Sequence, residues 1–308
     1  MAQQWLFITL VSYPELAEQE QHTLPKLKQA AIPLPVLYDD STHHLWQCYT
    51  EDGVIVLKIC NKQHIESALF WKGINKLFNT NFPKNLPEIA STYQQIATIS
   101  PLAIPQYITA KADRFILATW LNGKQVDRKK VNDLMVQQLA EHVAKCHQKT
   151  NPAWGAFHQP QLAATQWPIA LGRTLTSLAE LCPSEVAEGV LKDALEQAET
   201  IQSQQFVPIM LDLRWDQFLQ EEGELSALVD LDAFVYGPRE LELVLLEHLL
   251  NKEQLVIFKR QYQRYRTVPN LGSVRLPYQL LLFLMNVLGE QDLAVWLAST
   301  KGKKMDLI

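Results

Sequence analysis

Two aspartates, Asp212 and Asp230, each follow an apolar run in the stretch VPIMLDLRWDQFLQEEGELSALVDLDAFVYGPRELEL, which extends from Val207 to Leu243. Both read as strand ends, with a turn at Glu221 to Gly223 between them. A carboxylate beside a hydroxyl can orient it and take its proton, while a second carboxylate can hold a magnesium ion against phosphate oxygens. Phosphoryl transfer asks little more of a protein than such positioning and charge neutralisation. Asp is also common at turns and strand ends for purely structural reasons, so the pair needs elements elsewhere in the chain that would position it.

Three such elements occur in order. Gly53 to Ile59 reads as a turn and a β-rich strand that carries Lys58. A helical segment follows from Lys62 to Phe78, with Ile65, Leu69, Ile74 and Leu77 on one face and Glu66 in an early turn. Arg114 to Gly123 is an apolar strand running into a glycine turn. Beyond it, LMVQQLAEHVAKCH from Leu134 to His147 has helical spacing. Each also has a plain structural reading: Lys58 as a solvated strand-end lysine, Glu66 as a carboxylate complementing the helix dipole, His147 as a histidine satisfied by a nearby backbone group.

The Val207 to Leu243 segment resembles the catalytic motif of the aminoglycoside phosphotransferase and choline kinase families, H-G-D-x-x-x-x-N, then I-D-[FW]-x-x-A, then G-D-P-x-x-D-L. Met210, Leu211 and Asp212 fall on H-G-D, Gln217 on the Asn, Val229, Asp230 and Leu231 on I-D-F, and Gly237 to Leu243 on the last motif. The resemblance implies an α+β, bilobal protein-kinase-like fold. A small β-rich N-lobe with one main helix would cover residues 1–118, a hinge 119–122, and a larger, mainly helical C-lobe 123–308. It further implies ATP and Mg²⁺ as cofactors and a small hydroxyl-bearing molecule as substrate. Asp212 would be the catalytic base, and Asp230 with Gln217 would hold the metal. Lys58 would contact the nucleotide phosphates with Glu66 as its ion-pair partner, and backbone groups at Ala118 to Trp120 would receive the adenine.

The chain departs from the family pattern in three places. Between Val36 and Tyr49 there is no glycine, so Ser41 and Thr42 would have to supply hydroxyls and amides to phosphate. Asp39 and Asp40 would repel phosphate if they faced it, and His43 and His44 read equally well as exposed turn residues. Gln217 carries the amide oxygen of the expected Asn about 1.5 Å further along its side chain. Met210 and Leu211 replace His-Gly, removing a polar brace from the loop of Asp212. Two function classes follow: an ATP-dependent small-molecule kinase, or a pseudokinase-like module that keeps the fold, binds nucleotide and transfers little or nothing. Asp232, Glu240 and Glu242 offer negative charge for an acceptor pocket or structural pairs. Trp154, Phe157 and Trp215 are pocket walls or core.

Composition bounds these readings. The chain has 308 residues, 47% hydrophobic and 20% charged, which suits a large folded core rather than disorder. A formal net charge of −5 gives no broad basic footprint for nucleic acid. Cys48, Cys60, Cys146 and Cys182 show no metal-ligand spacing, and a reduced cytoplasmic state is the simpler reading. Trp5 to Val11 reads as a strand or core segment, and no apolar run is long enough to span a membrane. Further helices are expected at Ser184 to Gln205, Arg239 to Leu250 and Leu276 to Leu297, with Gly289 as a break, and a loop at Asn151 to Trp167.

Overall fold

A computed structural model describes residues 11–35, 41–182 and 186–307. The expectations for most of the Trp5 segment, for Asp39 and Asp40, and for a helix start at Ser184 and Glu185 lie outside the described residues. A short helix α1 (Glu18–Gln21) and a two-residue strand β1 (Ile32–Pro33) precede the hairpin of β2 (His43–Thr50) and β3 (Gly53–Cys60). Gly53 closes the hairpin at φ 131°, a value that side chains with a Cβ rarely adopt. Three helices follow, α2 (Lys62–Ser67), α3 (Leu69–Phe78) and α4 (Ala90–Ile99), and then β4 (Tyr107–Lys111) and β5 (Phe115–Thr119). The sheet is antiparallel with strand order β1-β2-β3-β5-β4.

Apart from Lys58, strand β3 reads apolar because both of its faces are covered. Side chains alternate along a strand, so Ile55, Leu57 and Ile59 join Phe115 and Leu117 on one face. That face is capped by Tyr13, Leu16 and Leu24 of the segment before β1. The opposite face carries Ile116 and Ala118 into the main core and aims Lys58 away from the cap. The helical segment expected as one unit from Lys62 to Phe78 breaks at Ala68, whose ψ of 121° is extended. Helix α4, which the sequence reading did not pick out, packs on β4 and reaches the inner face. Its Tyr93 is buried close enough to Lys58 to feel the ammonium charge.

After β5 the chain makes a short strand β6 (Lys124–Gln125) and the long helix α5 (Asp133–Gln148), started by the side chain of Asn132 accepting from the Met135 N–H at 2.9 Å. The stretch expected as a loop contains β7 (Ala153–Ala156) and β8 (Leu162–Ala163), because Asn151 pairs with Phe206 and draws the segment into a second sheet. Then come α6 (Trp167–Leu181), α7 (Glu188–Glu199), β9 (Val207–Met210), β10 (Phe218–Glu221), β11 (Glu224–Leu228) and β12 (Phe234–Gly237). The chain closes with α8 (Arg239–Leu249), α9 (Lys252–Tyr262), α10 (Arg275–Leu284) and α11 (Leu293–Ala298). Gly289, at φ 78°, lies in the break between the last two.

Helices α8 and α10 are buried almost all round, so their polar side chains need internal partners. Arg275 meets Glu247 at 2.8 Å, and His248 accepts or donates to Ser299 while stacking on Trp296. Burial holds two histidines neutral, pushing His142 down to about 4 and His248 down to about 3 from an ordinary 6.5. With a depressed folded value, the unfolded chain binds the extra proton, so stability rises with pH across that window and is lost as pH falls below 6.5. The loss is at most about 1.4 kcal/mol per pH unit for each histidine. In thermal denaturation, His248→Gln is therefore expected to lose less melting temperature than wild type between about pH 6.5 and pH 5.

Candidate active site

Two strand pairings bring the acidic clusters together. Antiparallel β9 and β12 match Met210 with Phe234, and beyond the ladder Leu211 N–H donates to Ala233 O at 3.2 Å. Antiparallel β10 and β11 match Phe218 with Leu228, and Val229 N–H donates to Gln217 O at 3.0 Å. The loops holding Asp212 to Gln217 and Asp230 to Ala233 must therefore face each other. The end of β11 is also tied to the segment after α4, since Ala103 N–H donates to Ser226 O and Leu228 N–H to Ala103 O, both at 3.0 Å. That tie seats the Asp230 loop beneath β3.

The result is a cleft of about 440 Å³ whose walls include Lys58, His43, Asp212, Arg214, Asp230 and Asp232, a size usual for a small-molecule site. Lys58 Nζ donates to Asp230 Oδ1 and to Asp232 Oδ2, each at 2.8 Å. Burial works against the ammonium, but the two carboxylates outweigh it and raise its pKa well above the usual lysine value. Burial likewise opposes ionisation of Asp230, where Lys58 wins and holds the carboxyl below its usual range. Asp232, more deeply buried, is pushed up to about 6. His43 lies 3.6 Å from Asp232 and is kept neutral by burial and by Lys58, at about 3.

Asp212 is held from two sides. Gln217 Nε2 donates to its Oδ2 at 2.9 Å, and Arg214 Nε lies 3.4 Å from its Oδ1 while also reaching Asp216. Burial outweighs Arg214 and pushes the Asp212 carboxyl up to about 7. The side-chain brace expected to be lost with Met210 is absent, and the loop of Asp212 is tied at this position through the backbone, where Met210 N–H donates to Glu242 Oε1 at 2.6 Å. Glu242 Oε2 also meets His147 Nε2 at 2.7 Å, and His147 Nδ1 meets the Tyr262 hydroxyl at 2.8 Å. His147 is thus structural, though its partners are side chains rather than backbone.

Several expected roles do not survive the geometry. Glu66 does not meet Lys58: it lies 65% exposed on α2 and pairs with Lys62 at 3.7 Å, because the break at Ala68 turns that helix outward. Ala118 is paired on both sides, with Val56 and Tyr107, and Trp120 N–H already donates to Val54 O at 3.0 Å. Neither residue lines the cleft at Lys58. Ser41 and Thr42 do line it, with Ser41 Oγ donating to His43 O and Thr42 Oγ1 beside the His43 ring. Trp154 and Trp215 are core, Glu240 pairs with Arg239, and Glu242 is committed inside the helical lobe. Arg214 and His43 went unnoticed as site residues. Strand alternation would have placed His43 on the face shared with Leu45, opposite Cys48.

Among the described residues, no trio of His, Cys, Asp or Glu is placed to hold a metal ion. Asp230 and Gln217 both line the cleft, with the Gln217 amide nitrogen turned to Asp212. A carboxylate and an amide oxygen are donor types compatible with Mg²⁺, which keeps waters and is bound by one or two carboxylates plus substrate phosphates. Truncating Glu242 to Ala strands the His147 ring and the Met210 amide, so urea unfolding of Glu242→Ala should show a loss of about 3 kcal/mol. Glu66→Ala should change stability by less than about 0.5 kcal/mol.

No curated protein matches the chain in sequence. Solved structures share its fold at low identity. Macrolide 2′-phosphotransferase MphH from Brachybacterium faecium is 12% identical, with 93% of this chain and 96% of that one covered at a TM-score of 0.58. A candidate fructosamine-3-kinase from Thermobifida fusca YX-ER1 is 13% identical, with 94% and 100% covered at 0.61. A thermostable variant of aminoglycoside phosphotransferase APH(4)-Ia, in ternary complex with AMP-PNP and hygromycin B, is 13% identical, with 92% and 90% covered at 0.57. The architecture is therefore the bilobal, kinase-like α+β fold. The model of the phosphotransferase enzyme family (APH) matches residues 46–276, from β2 to the start of α10, and the chain belongs to that family.

Proposed function

We propose that the protein transfers the γ-phosphoryl group of ATP, with Mg²⁺, to a hydroxyl of a small molecule. The observation that carries this reading is the convergence of Lys58, Asp212 and Asp230 on one cleft, each held by named partners. Asp212 orients the acceptor hydroxyl and takes its proton, and a carboxyl near about 7 is matched to that task at neutral pH. Lys58 holds nucleotide phosphates, and Asp230 with Gln217 holds the magnesium ion, which when bound neutralises charge on the phosphate oxygens. Ser41 and Thr42 close the cleft from the segment that leads into β2. Residues 119–122 serve as the hinge between lobes, with the division of the chain at 1–118 and 123–308. With the Ala118 and Trp120 ladder positions occupied, the adenine is received by the backbone beyond Trp120. The ternary complex of APH(4)-Ia with AMP-PNP and hygromycin B supports a nucleotide and a small acceptor sharing this fold. All four cysteines are thiols and no described helix is long and apolar enough to cross a membrane, in keeping with work in the reducing cytoplasm.

A second reading, a nucleotide-binding module with little transfer, is favoured by one observation. Gln217 replaces the shorter Asn and spends its amide nitrogen on Asp212.

Thermal melting separates the two from a chain that binds no nucleotide. Millimolar ATP should raise the melting temperature, and more so with Mg²⁺; no response to nucleotide contradicts both readings. Across a panel of amino-alcohols and sugars, Asp212→Asn is expected to lower turnover on the true acceptor by roughly 10²- to 10⁴-fold and to leave ATP binding nearly intact. Unchanged turnover in that variant removes Asp212 from its role.

A further inference from the structure

The two carboxylates on Lys58 are not equivalent. Asp230 keeps 29% of its side chain exposed at the cleft, whereas Asp232 keeps 4%. Asp232 is fixed on both sides in sequence. Leu211 N–H holds Ala233 O at 3.2 Å, the β12 ladder begins at Phe234, and the Asp232 N–H points back at Asp230 Oδ1 at 3.5 Å. Its Oδ2 accepts from Lys58, and its Oδ1 has no hydrogen-bond partner among the described residues. Of the carboxylates on the helical stretch between β3 and β4, neither Glu66 nor Glu88 meets Lys58; Glu88 is exposed and shares only a small side pocket with Asp232. Helix α4 presents Thr92 and Tyr93, both buried, and burial keeps the Tyr93 phenol protonated. Glu66 is spent on Lys62 in solvent.

We infer that Asp232 is the fixed counter-ion of Lys58, a positioning residue that keeps the ammonium aimed into the cleft when Asp230 turns from it to the cation that enters with nucleotide. This rests on the phosphotransferase reading above. An ammonium whose side chain is 8% exposed is costly to leave without an anion. If Asp230 were the sole partner, any metal that recruited it would leave Lys58 uncompensated until phosphate arrived. With Asp232 in place, the exposed carboxylate can exchange partners while the buried one stays. Asp230 and Asp232 flank Leu231 where the chain turns between β11 and β12, closed by Phe234 N–H on Leu231 O at 3.4 Å, and this turn brings both carboxylates to one nitrogen. Asp232 thereby stands in for the helix carboxylate that the sequence had assigned to Glu66.

The test is a double-mutant cycle between Asp232→Asn and Lys58→Met, an isosteric change and a neutral replacement of similar length. Titration calorimetry with ATP and Mg²⁺ is expected to show Asp232→Asn weakening binding by about tenfold in the wild-type background and by less than about twofold in the Lys58→Met background. In the nucleotide-free protein, Asp232→Asn should lower the melting temperature when Lys58 is present and have little effect when it is absent. Asp230→Asn should instead abolish the gain in ATP affinity given by Mg²⁺ and keep the Mg²⁺-free affinity. Unchanged or tighter ATP binding in Asp232→Asn overturns the assignment, since a carboxylate that merely competed with phosphate for Lys58 would give that result. Effects of equal size in both backgrounds, or failure to fold in both, overturn it as well. If the wild-type protein bound no ATP, the phosphotransferase reading would fall, and the melting cycle would still decide whether Asp232 serves Lys58.

Discussion

A lysine ammonium taken out of water is the constraint to which the cleft answers. Lys58 reaches the inner face of the sheet because strand alternation sends Ile55, Leu57 and Ile59 to the other face, under the cap of Tyr13, Leu16 and Leu24. Once inside, it must be paired, and breaking such a buried pair costs on the order of 3–5 kcal/mol. Asp230 and Asp232 meet that need at 2.8 Å each, from the loop between β11 and β12, far along the chain. The ion pair thus ties β3 to the loop between β11 and β12, and the same atoms that stabilise the resting cleft are those a phosphate and a metal would use.

The frame around that pair shows how a site can lose familiar residues and keep its shape. Met210 stands where the family pattern has histidine, and its backbone amide, which either residue would supply, donates to Glu242, which also engages His147. Charge on Asp212 is opposed by burial and favoured by Arg214, a balance that leaves its carboxyl near about 7 rather than in the usual carboxylate range. Gln217 keeps contact with Asp212 through its amide nitrogen. These contacts are spread over α5, α8 and the loop after β9, so no single motif displays them.

Much of this was legible in the chain, and the failures have physical causes. The kinase-like architecture followed from the resemblance of the Val207 to Leu243 segment to a family motif, supported by the order of a lysine-bearing strand, an apolar strand with a glycine turn and an amphipathic helix, because order along the chain survives when individual residues change. The pairing of Glu66 with Lys58 failed because helical periodicity from Lys62 to Phe78 runs through Ala68, where an extended backbone splits the helix and sends Glu66 to solvent. Helix α4 escaped notice: ASTYQQIATI has weak amphipathic contrast and no side-chain cap at its start. Asp232 reads from the sequence as acceptor-pocket charge or as a member of a structural pair, without a partner, since nothing local in VDLDAF says that β9 and β12 fold it back onto Lys58. That pairing is set by tertiary structure.

The most direct test is a crystal structure of the protein soaked with AMP-PNP and Mn²⁺, read through the anomalous signal of the metal. The account predicts a manganese ion bound to the Asp230 carboxylate, phosphate oxygens on Lys58, and the Lys58 to Asp232 contact retained. Manganese and phosphate bound away from this cleft, or Lys58 still locked to Asp230 with nucleotide present, would contradict it.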